Sequence, residues 1–488
     1  MKYFIGVDLG TSGLKALLVS EKGEIICAAN SAYPCDFPNP GWSEQSPSVW
    51  WDALVTAVKK LTGACNKTEI AGIGVAGQMH GLVTLDQANE VIRPCILWND
   101  GRSEKQTAFL NEKIGKDKLK AWTGNVAFPG FTAPKVLWMK ENEEENFAKI
   151  RKILLPKDYL NFRLTGNFTT DLSDAAGMLF LDVKNGCWSK EMCDICGITE
   201  ETLPQLLKGY ETAGYLTEGA AEALGLPQGI PVAAGAGDNA GAAIGTLLPE
   251  KDRANISLGT SGTVFLPCEN FLEVAEDGIH NFRHADGNYH LMACILSAAS
   301  CNEWFCKDIL QTEDYAGEQS KITAADLGNN HVFFLPYLMG ERSPMNDVNA
   351  RGVFFGLRRD TKREDMTLAV LEGVAFALKE NLEIMKGCGI EINRCTLCGG
   401  GAKSHLWQSV LANVLRLPMD LPVCEEGPSY GVAILAMVSA GAYASVSEAT
   451  EKFLKTKESV LPDSKISDRY EEKYQQFKKI YPALKNVF

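Results

Sequence analysis

The pentapeptide Leu-Gly-Thr-Ser-Gly occurs twice, at residues 9–13 and 258–262. The offset, 258 − 9 = 249 positions, is close to half of the 488-residue chain. This echo constrains the fold more than any other feature, because both copies sit in the same surroundings. FIGVD leads into the first and LKALLV follows it; ANIS leads into the second and TVFL follows it. Two β-prone runs joined by a glycine-rich turn predict a hairpin. The glycines let backbone N–H groups crowd toward an anion. Thr11 and Ser12 in the first turn, and Thr260 beside Gly259 in the second, add hydroxyl donors. Such turns cradle phosphates. The copies differ at one informative place: Asp8 precedes the first, and Ser257 holds the equivalent position before the second. A carboxylate beside only one loop predicts a single divalent-cation site, at Asp8. Lys15, just past the first loop, either assists the phosphates or is simply solvated.

A chain of this length exceeds what one hydrophobic core organises and fits two domains of roughly 200–250 residues. The net charge of −13 argues against a nucleic-acid binder, which would show a basic face, but not against a locally positive nucleotide pocket. The fifteen cysteines are scattered, and the pairs Cys193/Cys196 and Cys395/Cys398 lack partners at zinc-finger spacing. They read as reduced thiols. No secretory leader and no apolar run of about 18 residues is visible, so a soluble, cytoplasmic protein is expected.

The apolar runs then place polar clusters at strand ends, where open α/β sheets collect ligands. IGVA predicts a buried parallel strand ending in GQMHG, which puts Gln78, Met79 and His80 where a polar small molecule would bind. ILWNDGRS does the same for Asp100 and Arg102. Before these, Trp51, Leu54, Val55 and Val58 predict the apolar stripe of a helix opened by Ser46 or Ser48. Residues 130–138 and 154–160 read as packing and helix. In GIPVAAGAGDNAGAAIGT, Asp238 and Asn239 interrupt an otherwise small and apolar stretch, at a strand end and helix start. Asp238 is either an N-cap or a base that removes a proton from an attacking hydroxyl. Glu341 and Arg342 fit a surface turn with a local ion pair or a contact at the domain seam. CGGGAKS predicts a third glycine loop, Gly399–Gly401, with a helix beginning near Lys403, suited to backbone contact with adenosine and the α-phosphate. Tyr470, Tyr474, Phe477 and Tyr481 follow helical spacing and predict a docking face.

DLGTSGLK, WSEQ, GQMHG, LWNDGRS, LLPKDYL, SDAAG, GDNAGAA, SLGTSG, LPYLMGERSP, GVFFGL and GGGAKS, in this order, resemble the FGGY carbohydrate kinase family. The resemblance spans nearly the whole chain, thinning over 442–488; the two family signature segments fit at 130–141 and 352–372. It implies an α/β fold of two ribonuclease H-like domains, of the actin and hexokinase type, with a cleft between them. The halves would be residues 1–247, carrying the sugar site, first hairpin and catalytic Asp, and residues 248–488, carrying the second hairpin and adenosine loop. It implies ATP and Mg²⁺, the metal served by Asp8. Asp238 matches the catalytic base, Met79 and His80 the sugar-contacting pair, and Gln78, Asp100, Arg102 and Asn239 fall around them. Thr11, Ser12 and Lys15, then Gly259 and Thr260, match the phosphate hairpins; Gly400, Gly401 and Lys403 match the adenosine loop. The MHG sequence favours D-xylulose, phosphorylated at O5, over glycerol or ribulose. The implied partners are a sugar and ATP, with no nucleic acid or membrane, and a homodimer is compatible. The rival expectations are another ketose or polyol (L-ribulose, L-fuculose, erythritol) and a non-catalytic sensor or chaperone of the same fold.

Overall fold

A computed structural model describes residues 1–248 and 252–488. In the first half β1 (Tyr3–Leu9), β2 (Gly13–Ser20) and β3 (Ile25–Ala32) form an antiparallel meander. β4 (Ile70–Gly77) runs parallel to β1. β5 (Thr212–Tyr215) and β6 (Pro231–Ala233) complete the order β5-β6-β4-β1-β2-β3, and β7 (Ala236–Gly237) pairs with the end of β4. β1 is buried on both faces, which explains its near-continuous apolar run.

The second half repeats this plan. It comprises β8 (Arg253–Leu258), β9 (Gly262–Cys268), β10 (Ile279–Arg283), β11 (Tyr289–Ile295), β12 (Arg394–Cys398), β13 (Met419–Pro422) and β14 (Thr456–Val460). Their order is β10-β11-β9-β8-β12-β13-β14. With β10 set aside as an added edge, β11-β9-β8-β12-β13-β14 matches β3-β2-β1-β4-β6-β5 strand for strand. The directions match too, with a parallel pair on each side of β4 and of β12 reached through β1 or β6 and β8 or β13. The two LGTSG turns are therefore the tips of equivalent hairpins, β1-β2 and β8-β9.

Seven helices position the site. They are α1 (Pro47–Leu61), α2 (Thr132–Asn142), α3 (Asp238–Thr246), α4 (Arg363–Gly387), α5 (His405–Leu415), α6 (Pro428–Ser439) and α7 (Ser464–Leu484). In α1 the buried stripe is Trp50, Ala53, Leu54, Ala57, Val58 and Leu61, with Trp51 and Val55 at its margin. The predicted stripe was thus rotated by about one residue: adjacent tryptophans fit either register, and the larger buried set chooses Trp50. Ser46 precedes the helix without a side-chain cap bond. In α7, Tyr470, Tyr474 and Phe477 dock against Phe376 of α4.

The halves are joined by a shared apolar core and by close backbone contact. α6, from the second half of the sequence, lies on β1 and β4 of the first sheet and against α3. Phe4, Leu17, Val19 and Ala76 share one core with Tyr430, Val432, Ile434 and Leu435. A Cβ on Gly431 would lie 1.9 Å from the Gly241 carbonyl oxygen, and one on Gly6 would lie 1.8 Å from that of Ser429. Only glycine permits these approaches. α3 spans the seam: Asp238 starts it beside the first sheet, and Asn255 of β8 donates to Thr246 near its end at 3.2 Å.

Candidate active site

The two hairpin tips offer bare donors. Among the described residues, no hydrogen bond within the protein engages the backbone N–H of Thr11, Ser12, Gly259, Thr260 or Ser261. The first tip is held from behind. The Gly10 N–H donates to Gly13 O at 3.0 Å, and the Gln78 N–H to Leu9 O at 2.8 Å. Thr11 Oγ1 donates to Gln78 Oε1 at 3.2 Å and accepts from Trp98 Nε1 at 2.9 Å. The second tip rests on the start of the helix Ala299–Trp304, whose Ala298 and Ala299 amides donate to Thr260 O and Gly259 O. Rigid turns with free amides suit phosphate oxygens. Lys15 is ion-paired with Glu426 of the second half, so it is neither idle nor simply solvated.

Asp8 and Asp238 face one another electrostatically. Burial, then the like charge of Asp238, pushes the Asp8 carboxyl up to about 7. Its carboxylate accepts no hydrogen bond from the described residues. β7 pairs Gly237 with Gly77, which places Asp238 beside the end of β4. Gly237 is the N-cap of α3, and Asp238 is its first helical residue, making no cap bond. One carboxylate oxygen, Oδ1, accepts from the Asn239 N–H at 2.7 Å and from Asn239 Nδ2 at 2.9 Å. Oδ2 is free. Burial lifts the Asp238 carboxyl to about 6, against the lowering effect of Asn239. A carboxylate oriented through one oxygen, with the other open and its basicity raised, has the attributes of a general base.

His80 ends the same strand–turn with φ 71°. Its Nδ1 is 2.7 Å from the Gly177 carbonyl oxygen, which can only accept, so Nδ1 carries the proton and Nε2 presents a lone pair. Gly177 makes this possible: a Cβ there would lie 2.4 Å from Nδ1. The ring stacks on Phe131 at 4.6 Å, and burial keeps it neutral, down at about 3. Met79 is buried against Gly237 and Gly177.

Three expected sugar contacts are employed otherwise. Gln78 is buried under the first hairpin, holding Thr11 and bonded to Gln45 at 3.2 Å. Asp100 and Arg102 have no exposed side-chain surface. Asp100 accepts from the Ser43 amide at 2.6 Å and from Arg102 Nε at 2.8 Å. Arg102 also pairs with Glu44 at 2.6 Å and lies 3.7 Å over the Trp42 ring. Both are charge-paired within the wall, and burying either alone would cost several kcal/mol.

In the third loop Gly399 and Gly401 are structural: a Cβ on either would meet Leu258. Gly400 has nothing within 4 Å and leaves a flat, open backbone face, with Lys403 exposed beside it. The helix proper starts later than expected, with α5 capped by Ser404 after the turn Gly400–Lys403.

Two buried lysines fall in segments expected to be mere packing. Lys135 of α2 donates to His80 O at 2.9 Å and Gly130 O at 2.7 Å, pinning the His80 turn; burial brings it down to about 7. Lys157 pairs with Asp158 at 2.6 Å and Asp171 at 2.9 Å and lies 3.7 Å from Asp174, all without exposed surface. Burial raises Asp174 well above the usual carboxylate range. Ser173 joins this cluster to the base: its hydroxyl donates to Asp171 and accepts from the Gly237 amide at 3.2 Å. A lysine inside the apolar run TAPKVLWM was the available signal for the first. The fifteen cysteines are all free.

Among the described residues no cluster of three or more His, Cys, Asp or Glu side chains that could hold an ion exists, and the carboxylates gathered at the hairpin tip are Asp8 and Asp238. That fits Mg²⁺, which keeps waters and phosphate oxygens and takes one or two carboxylates.

Comparison with known proteins gives the family. Residues 3–245 match the model of the FGGY family of carbohydrate kinases, N-terminal domain, and residues 254–440 match the C-terminal domain. The chain is 40% identical to a xylulose kinase of Escherichia coli (strain K12) over 483 residues, 99% of each chain. A crystal structure described as a xyloylose kinase from Brucella ovis superposes with TM-score 0.94 at 41% identity, covering all of both chains. A gluconate kinase from Lactobacillus acidophilus superposes with TM-score 0.93 at 26% identity, covering 99% of this chain and 98% of that one.

Proposed function

The chain belongs to the FGGY family of carbohydrate kinases, and from that premise we propose that it transfers the γ-phosphoryl group of ATP to O5 of D-xylulose. It is a sugar phosphotransferase; the sugar is the inference. What carries it is identity near 40% over essentially full length to xylulose kinases; at 26% identity a gluconate kinase and a xylulose kinase superpose on this chain about equally well. Fold similarity alone does not choose the acceptor.

Asp238 is assigned as general base. With its carboxyl near 6, most molecules hold it ionised at neutral pH. Oδ2 takes the proton of O5 as that oxygen bonds to phosphorus and the bond to the ADP leaving oxygen breaks. Asn239 keeps Oδ1 occupied, so only one oxygen points at the acceptor. His80 Nε2 accepts from a sugar hydroxyl and, being neutral, adds no charge to the pocket. The amides of Thr11, Ser12, Gly259 and Thr260 hold phosphate oxygens, with Lys15 alongside. Gly400, Gly401 and Lys403 border the adenosine. Asp8 would hold Mg²⁺, which when bound neutralises phosphate charge. Closure of the halves excludes water, the competing acceptor.

The test is ADP release measured against D-xylulose, L-ribulose, L-fuculose, erythritol, D-gluconate and glycerol, with the product position read by phosphorus NMR. D-xylulose should show the highest kcat/KM and a 5-phosphate product. A different best acceptor removes the sugar assignment, and sugar-independent turnover would favour a sensor or chaperone.

A further inference from the structure

Arg342 is a cation with no ion-pair partner among the described residues. It follows Glu341, which is buried, not part of a surface turn with a local ion pair: Glu341 Oε1 accepts from the amides of Leu296 at 2.9 Å and Arg342 at 2.7 Å. Those bonds fix the backbone direction at Arg342. Its guanidinium lies 5.8 Å over the Phe128 ring, across the seam between the halves. Among the described residues it makes no side-chain hydrogen bond and no ion pair, although it is only partly exposed. A half-buried guanidinium with five idle donors is costly unless something accepts from it.

The surroundings say what that is. Phe128 packs on His280 at 5.0 Å; Phe131 packs on His280 at 5.6 Å and stacks on His80. This aromatic wall joins residues of both halves around the sugar-facing histidine. After burial and Lys135, the charge of Arg342 is among the causes keeping His80 neutral. The phosphates are already served by free amides and Lys15.

We propose that Arg342 is a sugar-binding residue supplied by the second half, donating to adjacent oxygens of the bound ketose opposite the acceptor Nε2 of His80. It rests on the sugar-kinase reading above and deepens it: the sugar is gripped from both halves, a donor on one wall and an acceptor on the other. A guanidinium fork suits two neighbouring oxygens better than one.

The test uses Arg342→Met and Arg342→Lys in the full-length protein, with steady-state kinetics, calorimetric sugar binding without nucleotide, and binding of a Mg-ATP analogue. Loss of a charged hydrogen-bonding group predicts a rise in sugar KM and Kd of about 10- to 100-fold for Met. Lys should recover part of the loss, kcat should stay within about fivefold, and nucleotide affinity should be unchanged. Phe128→Leu, which keeps the cation but removes the ring beneath it, should raise sugar KM by less, and it replaces Arg342→Met if that variant does not fold. A fall in kcat at unchanged KM, with weakened binding of the Mg-ATP analogue, assigns the cation to the phosphoryl group and overturns the proposal. Unchanged kinetics also overturns it. Should the wild type prefer another sugar, the same measurements on that sugar test Arg342 independently; should it phosphorylate none, sugar binding by calorimetry still does.

Discussion

Replacing Asp238 by Asn should make the protein more stable and nearly inactive. The argument is one of linkage. Burial raises the Asp238 carboxyl from 3.8 to about 6, so the folded state holds a proton that the unfolded chain has lost between those values. Stability therefore falls as pH rises through that window, and above about pH 6 the full cost of an ionised, poorly hydrated carboxylate remains. The rise corresponds to about 3 kcal/mol, and partial access to cleft water reduces this to roughly 1–3 kcal/mol. An amide avoids that cost. Its oxygen still accepts the Asn239 N–H, now at 2.7 Å, so the start of α3 keeps its bond. Chemical denaturation at pH 7.5 should show Asp238→Asn more stable than wild type, with the difference disappearing below about pH 4. Turnover should fall by about 10²- to 10⁴-fold, the usual contribution of a general base. A variant that is less stable at pH 7.5, or that keeps more than a tenth of the rate, would refute the placement of a strained, basic carboxylate at this position.

Other consequences follow from the same geometry. With Mg-ATP saturating, kcat/KM for the sugar should drop about tenfold per pH unit below the Asp238 value of about 6, because only the ionised form takes the proton; a limb centred near 4 contradicts the raised basicity. Gly177→Ala puts a Cβ 2.4 Å from His80 Nδ1 and forces the ring aside; sugar KM should rise about tenfold at constant nucleotide affinity, and an unchanged KM removes His80 from the sugar site. Gly431→Ala sets a Cβ 1.9 Å from the Gly241 carbonyl oxygen, between two elements that cannot both retreat; a loss of about 2–3 kcal/mol is expected in a denaturant titration, and less than 0.5 would mean the seam is looser than described. Chelation of divalent ions should abolish transfer, and Asp8→Asn should raise the Mg²⁺ concentration needed for half-maximal rate; an unaltered requirement would place the ion elsewhere.

The repeated hairpins were legible because their signal is local: a strand, a glycine turn and a strand within about twenty residues. The strand-end positions of His80 and Asp238 were legible for the same reason, each sitting where an apolar run stops. What could not be read depends on partners far apart in the chain. Arg102 looks like a ligand-binding residue until Glu44 and Trp42 are seen around it. Lys157 falls in a segment that reads as packing and helix, and its role shows only when Asp171 and Asp174 are folded over it. The docking of α6 on the first sheet is invisible in a pattern of small residues, since Gly431 and Gly241 announce nothing individually. The α1 stripe slipped because Trp50 and Trp51 both satisfy a helical period, and only the sheet they face decides between them.

Duplication explains the scaffold, while its departures explain the chemistry. Two equivalent hairpins would hold two sets of phosphate oxygens equally well, yet a reaction needs one metal site and one base. The first half alone has a carboxylate at the hairpin, Asp8 where the second has Ser257. It also has Asp238 at the start of the seam helix, near enough for each charge to matter to Asp8. Two such groups in an empty cleft are mutually unfavourable, and Asp8 makes no hydrogen bond that would compensate. A cation at Asp8 and a hydroxyl at Asp238 Oδ2 each relieve part of that repulsion. Burial is what chiefly raises both carboxyls, with the charge of Asp238 adding to the effect at Asp8. Ligands that replace the missing hydration on either side of the seam therefore lower the same kind of penalty, and the second half answers with the free amides of its own hairpin and with Arg342.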